Sequence, residues 1–154
     1  MLERQFGWAI LRPLERTQHH TVEARDGTFR FLPEASPSTA SADAAHLNNA
    51  VQNLLDNALK YSPGQPHITL RTYHHGRKLC IAVTDRGIGI SPAFQKKIFS
   101  RHFRVLHGDQ HEVKGFGLGL SYARQVALLH GGDIKVESQM GAGSTFVLEL
   151  PAST

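Results

Sequence analysis

The sequence has little that would suit a secreted or membrane-spanning protein. Its single cysteine, Cys80, excludes an internal disulfide and lies in an apolar strand pattern, where a small core residue is expected. The longest continuous apolar runs are only a few residues, far short of the ~20 residues that a membrane-spanning helix needs. The N-terminus has an early acid, Glu3, and a short apolar patch, so no secretory signal is expected. These absences favour the cytoplasm.

The sequence also lacks a strong charge imbalance and a recognisable metal motif. It has 17 Lys and Arg residues against 13 Asp and Glu residues, and the net charge of +4 is mostly dispersed. One basic cluster stands out, formed by Lys96, Lys97, Arg101, Arg104 and Lys114. No aromatic stacking platform or groove-reading motif accompanies it, so a polyphosphate is favoured and nucleic acid is not expected. The 10 histidines contain no set with the spacing of a structural zinc site, so zinc binding is not expected either.

What the sequence does contain is enough apolar material for one ordinary domain. Hydrophobic residues make up 40% of the 154 residues, which supports a genuine core and excludes a disordered chain. Residues 2–18 keep a helical apolar spacing, which Pro13 is expected to end or kink. Residues 20–26 and 28–32 are predicted to pair as a hairpin across the turn dipeptide Asp26-Gly27.

The next segment carries the most informative helix. Residues 33–45 are predicted to be a loop that ends at a helix cap, supplied by Ser41 or Asp43. Residues 46–62 then form an amphipathic pattern, whose apolar face gathers Leu47, Ala50, Val51, Leu54 and Ala58. The opposite face carries a row of amides and one ammonium, from Asn49, Asn53, Asn57 and Lys60. Asn is a poor helix former, so three on one stripe indicate a role beyond helix formation, with a solvated polar face as the alternative.

The rest of the chain predicts an α/β (α+β) two-layer sandwich. Its sheet is expected to be mixed, mostly antiparallel, with helices on one face. The predicted strands are residues 67–73, 78–84, 134–138 and 145–150. The predicted helices are residues 92–99 and 117–130, the second ending at Gly131-Gly132. Residues 100–114 are polar and aperiodic, and a loop of that length in a compact domain is usually functional.

Four short motifs occur in order along the chain. They are Asn53-x-x-x-Asn57-Ala-x-Lys60-Tyr61-Ser62, Asp85-x-Gly87-x-Gly89-Ile90, Phe99-x-x-x-Phe103-Arg104 and Gly115-x-Gly117-Leu118-Gly119-Leu120. In this order and spacing they resemble the ATP-binding catalytic domain of sensor histidine kinases, which belongs to a superfamily shared with gyrase-type ATPases. The resemblance covers about residues 43–151. It implies that residues 1–154 form a single catalytic domain with an ATP lid and contain no dimerisation or phosphoacceptor domain.

The first motif is where the resemblance places the metal and the phosphates. It implies that Asn57 is the main Mg²⁺ contact and Asn53 an auxiliary one. Mg²⁺ prefers oxygen ligands and keeps most of its waters, so a neutral amide oxygen is a suitable ligand when phosphates supply the charge. Lys60 would reach the phosphates as a point charge, and Tyr61 would line the nucleotide cavity. The implied catalytic residues are Asn57, Lys60 and Arg104.

The second motif is where the resemblance places the adenine. A carboxylate at Asp85 would accept a hydrogen bond from the exocyclic amine, whereas guanine would present a carbonyl oxygen there. Gly87 and Gly89 would let the backbone pass close to the base, with Ile90 completing the motif. A plain Asp-Arg-Gly turn between a strand and a helix is the alternative for Asp85, as a surface amide is for Asn53.

The last two motifs flank the aperiodic loop, which the resemblance identifies as the ATP lid. Phe99 stands at its start, and Arg104 aligns with an arginine that contacts the terminal phosphate in the family. The family usually has an aromatic residue at His102, so this sequence departs from the pattern there and the packing of the lid is in doubt. The other nucleotide-binding residues are backbone amides and hinges at the end of the loop: Gly115, Gly117, Leu118, Gly119 and Leu120.

These roles imply a function in two-component signalling. In gyrase-type ATPases a glutamate at the position of Asn53 activates water, and an amide cannot act as that base. The site is therefore expected to hold Mg-ATP with poor hydrolysis and to present its γ-phosphate to a histidine. That histidine would lie on a separate dimerisation domain, and a response regulator would be a further partner. The parent protein is expected to be cytoplasmic or anchored in the inner membrane.

Two other functions fit parts of the same pattern. An anti-sigma-factor-type serine kinase shares this fold and would phosphorylate a serine of a protein partner. A non-catalytic ATP-sensing module would change shape with ATP but transfer nothing. The Lys60-Tyr61-Ser62 ending favours the histidine kinase over the first alternative, and the presence of Asn57 and Arg104 argues against the second.

Overall fold

The fold is known from a computed structural model, which describes residues 3–6, 11–35, 38–100 and 119–152. These residues form four helices and seven strands. The helices are α1 (Arg12–Glu23), α2 (Ala44–Lys60), α3 (Pro92–Gln95) and α4 (Gly119–Leu129). The strands are β1 (Glu3–Phe6), β2 (Thr28–Pro33), β3 (Ser38–Ser41), β4 (His67–His75), β5 (Lys78–Asp85), β6 (Asp133–Gln139) and β7 (Gly143–Pro151).

Five strands form one mixed sheet in the order β2-β4-β5-β7-β6. The β2–β4 pair is parallel, and the other three pairs are antiparallel. Strands β1 and β3 form a separate antiparallel pair. The predicted two-layer sandwich with a mostly antiparallel mixed sheet is therefore confirmed.

The core lies between one face of the sheet and the helices. Alternate residues of the three central strands are buried on that face, among them Ile68, Leu70, Leu79, Ile81, Val83, Phe146, Leu148 and Leu150. The apolar stripe of α2 packs against them, as the helical periodicity predicts. Helix α4 packs beside α2, and α1 packs against β2 and α2. Cys80 is buried as predicted, and burial raises the pKa of its thiol.

The structure corrects the prediction for the N-terminal part. A helix over residues 2–18 is wrong, because residues 3–6 form β1 and α1 begins at Arg12. Pro13 does not end a helix but lies in the first turn of α1, where its missing N–H leaves no hydrogen bond unmade. The predicted hairpin is also wrong, since residues 20–23 belong to α1 and β2 pairs in parallel with β4.

The connection between α1 and β2 explains why the hairpin signal misled. Asp26 has a φ of +55°, so the dipeptide Asp26-Gly27 does make a tight turn, but it joins a helix to a strand. A Cβ on Gly27 would lie 2.1 Å from the carbonyl oxygen of Pro66, so the turn packs directly on the start of β4. The predicted loop over residues 33–45 contains a further strand, β3.

The later elements agree with the prediction apart from their ends. Asp43 caps α2, and its carboxylate accepts hydrogen bonds from the backbone of Ala45 and His46 at 3.0 and 3.1 Å. Those bonds lower the pKa of Asp43. Helix α3 is shorter than predicted and ends at Gln95. Helix α4 ends in a left-handed Gly131, with the amide of Gly132 donating to Ala127 at 2.8 Å. Within the described residues, no helix has the length and apolar character needed to cross a membrane.

Candidate functional site

The polar face of α2 forms one wall of the candidate site. Asn53 and Asn57 are half-buried on it, and Asn49 and Lys60 are exposed. The apolar face is buried in the core, so the polar row is held in a fixed direction. The predicted separation of the two faces is therefore present in the folded chain.

The two central amides of this row are oriented differently. The Nδ2 of Asn53 donates to the carbonyl oxygen of Asn49 at 2.9 Å, which leaves its Oδ1 pointing away from the helix backbone. A Cβ on Gly119 would lie 3.0 Å from that Oδ1, so the start of α4 touches the polar row. The side chain of Asn57 makes no hydrogen bond with the rest of the described chain. Both amide oxygens are thus available to a ligand.

Asp85 lies at the end of β5 and is only 5% exposed. Its Oδ1 accepts hydrogen bonds from the backbone N–H of Gly87 at 2.8 Å and of Ser144 at 3.3 Å. Burial raises the pKa of Asp85, and the two backbone donors offset part of that effect. Its second oxygen, Oδ2, has no hydrogen-bond partner among residues 3–6, 11–35, 38–100 and 119–152.

The turn after Asp85 is fastened to the C-terminal end of α2. The amide of Ile88 donates to the carbonyl oxygen of Tyr61 at 3.0 Å. A Cβ on Gly87 would lie 2.1 Å from the same oxygen, so only glycine permits this approach. The first and second motifs are therefore joined directly, with Lys60 and Tyr61 next to the contact.

The far end of the same turn is fastened to the β6–β7 hairpin. Gly89 has a φ of +76°, and its Cβ would lie 2.1 Å from the carbonyl oxygen of Gln139. The amide of Ile90 donates to the Oγ of Ser138 at 2.7 Å. The Nε2 of Gln95 donates to the carbonyl oxygen of Ile90 at 3.0 Å. These contacts fix the backbone on both sides of the glycines.

Phe99 and Leu120 lie close to the two ends of the segment that is predicted to be the lid. Both are partly buried and pack against the core. The ring of Phe99 meets Phe146 edge-on at 6.2 Å, and the guanidinium of Arg124 lies 5.6 Å from the Phe99 ring. Arg124 also pairs with Asp133 at 3.2 Å, so α4 and β6 support the aromatic ring from behind.

The remaining predicted residues lie outside the described part of the chain. They are His102, Phe103, Arg104, Gly115, Gly117 and Leu118. Their roles in a lid and in phosphate contact stay predictions.

Several residues that hold this site together could not be recognised from the sequence. Ser138 and Gln95 fasten the turn after Asp85, and Arg25 donates to carbonyl oxygens at the end of α2. None of the three lies in a recognisable motif. Each makes its hydrogen bond to a backbone atom of another segment, and such a bond leaves no pattern in the sequence. An open depression of about 350 Å³ also adjoins Asp85, but β5, β6, β7 and the β6–β7 turn line it, away from the amides of α2.

The chain is similar to known proteins in both its sequence and its fold. Residues 42–154 match the family described as "Histidine kinase-, DNA gyrase B-, and HSP90-like ATPase". The sensor protein RprX of Bacteroides fragilis is 39% identical over 132 residues, which cover 84% of this chain and 25% of that protein. This chain thus spans about a quarter of the length of that relative.

Two solved structures share the fold. The mycobacterial sensor histidine kinase MprB superposes with a TM-score of 0.76 at 29% identity, over 93% of this chain and 96% of that chain. The histidine kinase ThkA, in a complex with the response regulator protein TrrA, superposes with a TM-score of 0.78 at 21% identity. That match covers 98% of this chain and 42% of the other, and at this identity it shows the fold alone.

Proposed function

Because this chain belongs to the histidine kinase-, DNA gyrase B- and HSP90-like ATPase family, we propose that it is the catalytic domain of a sensor histidine kinase. In this proposal it binds Mg-ATP and transfers the γ-phosphate to a histidine on a separate dimerisation domain. The observation that carries the proposal is the convergence of three motifs on one site. Asn53 meets Gly119 at the start of α4, and Tyr61 meets Ile88 beside Asp85.

The carboxylate of Asp85 suits the amino group of adenine. Its Oδ1 is already held by two backbone donors, and its Oδ2 is left to accept from a ligand. Guanine would bring a carbonyl oxygen to the same place and leave two acceptors facing each other. An unpaired buried polar group costs about 1–3 kcal/mol, and more when it is charged, so ATP is favoured over GTP.

The polar row of α2 suits a hydrated magnesium ion and the phosphates that it accompanies. Asn57 and Asn53 would hold the ion through their amide oxygens, and exposed Lys60 would attract the phosphates. When bound, the ion would neutralise part of the negative charge on the phosphates. The donor set fits this ion, since neutral oxygen ligands leave the charge to be supplied by the nucleotide. Arg104 and the amides of residues 115–120 would complete the phosphate site.

The composition of the site favours transfer over hydrolysis. Asn53 occupies the place where a water-activating carboxylate would stand, and its amide cannot accept a proton at neutral pH. Water is therefore a poor acceptor, and a histidine with a nucleophilic nitrogen is a better one. The acceptor histidine and the response regulator would be supplied by other domains or chains. ThkA, a histidine kinase of the same fold, forms a complex with a response regulator protein, and we propose the same kind of partner for this chain. We place the domain in the cytoplasm, with a parent protein that can be anchored in the inner membrane.

Nucleotide binding tests this proposal. Titration calorimetry with ATP and GTP, with and without magnesium, compares the wild type with Asn57→Ala and Asp85→Ala. We expect Asn57→Ala to lose the magnesium-dependent part of the affinity, about tenfold or more, because the amide oxygen is removed. We expect Asp85→Ala to lose the preference for ATP over GTP.

The matched control is Asn49→Ala, which removes an exposed amide from the same face of α2. It should bind ATP as the wild type does. Wild-type protein that binds no ATP, or variants at both sites that bind like the wild type, would refute the site. Transfer is tested by supplying an acceptor dimerisation domain, whose phosphohistidine should be acid-labile. An acid-stable phosphoprotein would instead indicate a serine kinase.

A further inference from the structure

The last carbonyl groups of α2 have no hydrogen-bond donors within the helix, so this end of the helix needs donors from elsewhere. The carbonyl oxygen of Ala58 accepts from the Oγ of Ser62 at 2.7 Å, and that of Tyr61 accepts from Ile88 at 3.0 Å. This end also carries Lys60 and Tyr61, two residues of the proposed nucleotide site. Whatever holds the end of α2 therefore affects the site.

Arg25 holds this end through three carbonyl oxygens. Its Nη1 donates to Leu59 at 3.0 Å, and its Nη2 donates to Ser62 and, at 3.0 Å, to Gly64. The side chain is half-buried, and a positive charge at a helix C-terminus is favourable because of the helix dipole. A planar guanidinium can serve all three oxygens at once, which a lysine ammonium cannot do with the same geometry.

The turn that carries Arg25 is itself firmly placed. The amide of Thr28 donates to the carbonyl oxygen of Pro66 at 2.8 Å, and Gly27 packs on the same oxygen. The backbone of Arg25 donates to Val22 at 3.0 Å, at the end of α1. The segment from α1 to β2 is thus fastened to the segment from α2 to β4 at Pro66, in addition to the contacts of the guanidinium. Arg25 lies outside residues 42–154, which match the ATPase family.

From this geometry we propose that Arg25 is a positioning residue for the nucleotide site. It fixes residues 59–64, so that Lys60 keeps its direction and Tyr61 keeps its hydrogen bond to Ile88. The bond to Ile88 in turn holds the backbone beside Asp85. This inference rests on the proposed function, because it concerns the same nucleotide site.

The test compares Arg25→Gln and Arg25→Lys with the wild type and with the control Arg30→Gln, which changes an exposed arginine on β2. ATP affinity is measured by titration calorimetry at a temperature where circular dichroism shows each variant to be folded. We expect about a tenfold loss of ATP affinity for Arg25→Gln, because charge-assisted hydrogen bonds are lost. Arg25→Lys should lose about threefold, because the charge remains without the planar fork. The control should bind as the wild type does.

Amide exchange measured by nuclear magnetic resonance provides a second readout that a general loss of stability would not produce. In Arg25→Gln the amide of Ile88 should exchange about tenfold faster, while amides in the middle of β7 should exchange as before. If Arg25→Gln does not fold, Arg25→Lys decides alone. Affinities within twofold of the wild type in the folded Arg25 variants overturn the inference. If the wild type binds no ATP, the proposed function fails instead, and unchanged exchange at Ile88 overturns the inference separately.

Discussion

At the scale of single residues, the proposed function gives the charge of Asp85 the largest role in recognising the nucleotide base. The carboxylate is buried at the end of β5, and burial raises its pKa above the ordinary value of 3.8. The ionised form therefore costs the folded chain some stability. That cost is absent below the unfolded pKa and fully present once the pH has risen through the folded pKa. Only the ionised form accepts a hydrogen bond at both oxygens, so in the proposed function a stability cost at neutral pH would accompany adenine recognition.

The raised pKa of Asp85 predicts how the affinity for an adenine nucleotide, ATP or ADP, depends on pH. As the pH falls through the raised pKa of Asp85, its carboxylate becomes protonated and the hydrogen bond from the adenine amine is lost. We expect the nucleotide affinity to drop about tenfold as the carboxylate becomes protonated. The drop should occur at a higher pH than the protonation of an ordinary aspartate. Titration calorimetry with ADP between pH 4 and 7.5 measures this dependence.

The control for the pH series is Asp85→Asn, whose amide does not titrate. Its affinity for ADP should be lower at neutral pH and should not show the same drop on acidification. Its thermal midpoint at pH 7 should be at least as high as that of the wild type, since an amide oxygen can still accept from Gly87 and Ser144 without the cost of a buried charge. A wild-type affinity that is flat down to pH 4 would contradict the role of the carboxylate.

At the scale of elements, the sequence correctly predicted those structural features that depend only on residues close together in the chain. The apolar period of α2, its Asp43 cap and the Gly131-Gly132 stop of α4 are all encoded within a few positions. The strand β2 is different, because its partner β4 lies beyond α2 and pairs with it in parallel. Asp26-Gly27 could signal a turn but not what the turn connects.

The same distinction holds for the site. The order of the motifs predicts that the polar row of α2 and the turn after Asp85 share a nucleotide site, and this stays a prediction. The hydrogen bond from Ile88 to Tyr61 shows that the two segments are in contact. Arg25 could not be predicted, because its three contacts are to backbone oxygens 34 to 39 residues away. A backbone acceptor places no constraint on residue type that a sequence pattern would show.

The contact between α2 and the turn after Asp85 predicts a strong effect of Gly87→Ala. The added Cβ would lie 2.1 Å from the carbonyl oxygen of Tyr61, so the turn must move away from the helix. We expect a loss of about 1–3 kcal/mol in the free energy of unfolding and at least a tenfold loss of ATP affinity. Urea unfolding and titration calorimetry measure the two effects.

Gly76→Ala is the matched control for that substitution. Gly76, in the turn between β4 and β5, has a φ of +62° but open space around its Cβ, so alanine there costs about 1–2 kcal/mol of backbone strain and no clash. Its ATP affinity should equal that of the wild type. Equal affinities in both variants would show that the turn does not need its present contact with α2.

At the scale of the whole molecule, the residues that match the ATPase family do not include all of the buried core. The match begins at residue 42, whereas α1 and β2 lie before it. Leu11, Val22 and Phe29 from this preceding part are 0%, 0% and 7% exposed, and β2 covers the edge of β4. The sheet and the core therefore depend on a segment that carries none of the motifs.

This dependence predicts that a fragment of residues 42–154 will not fold stably. Burial of a large apolar side chain contributes about 1.5–3 kcal/mol, so losing Leu11, Val22 and Phe29 removes roughly 5–9 kcal/mol. A domain of this kind is stable by only about 5–15 kcal/mol in total. We expect the fragment to unfold without a cooperative transition, or with a midpoint more than about 10 °C lower. Circular dichroism during heating measures this.

A second fragment, residues 8–154, separates the contribution of β1 from that of α1 and β2. It lacks β1, which pairs only with β3 among the described strands and stands outside the five-stranded sheet. It keeps the buried Leu11, the guanidinium of Arg25 and the β2–β4 pairing, so cooperative unfolding and ATP binding should both survive. A fragment of residues 42–154 that unfolds cooperatively near the wild-type midpoint would show that the core closes without α1 and β2. In that case the contribution of the N-terminal segment to stability would be much smaller than its burial indicates.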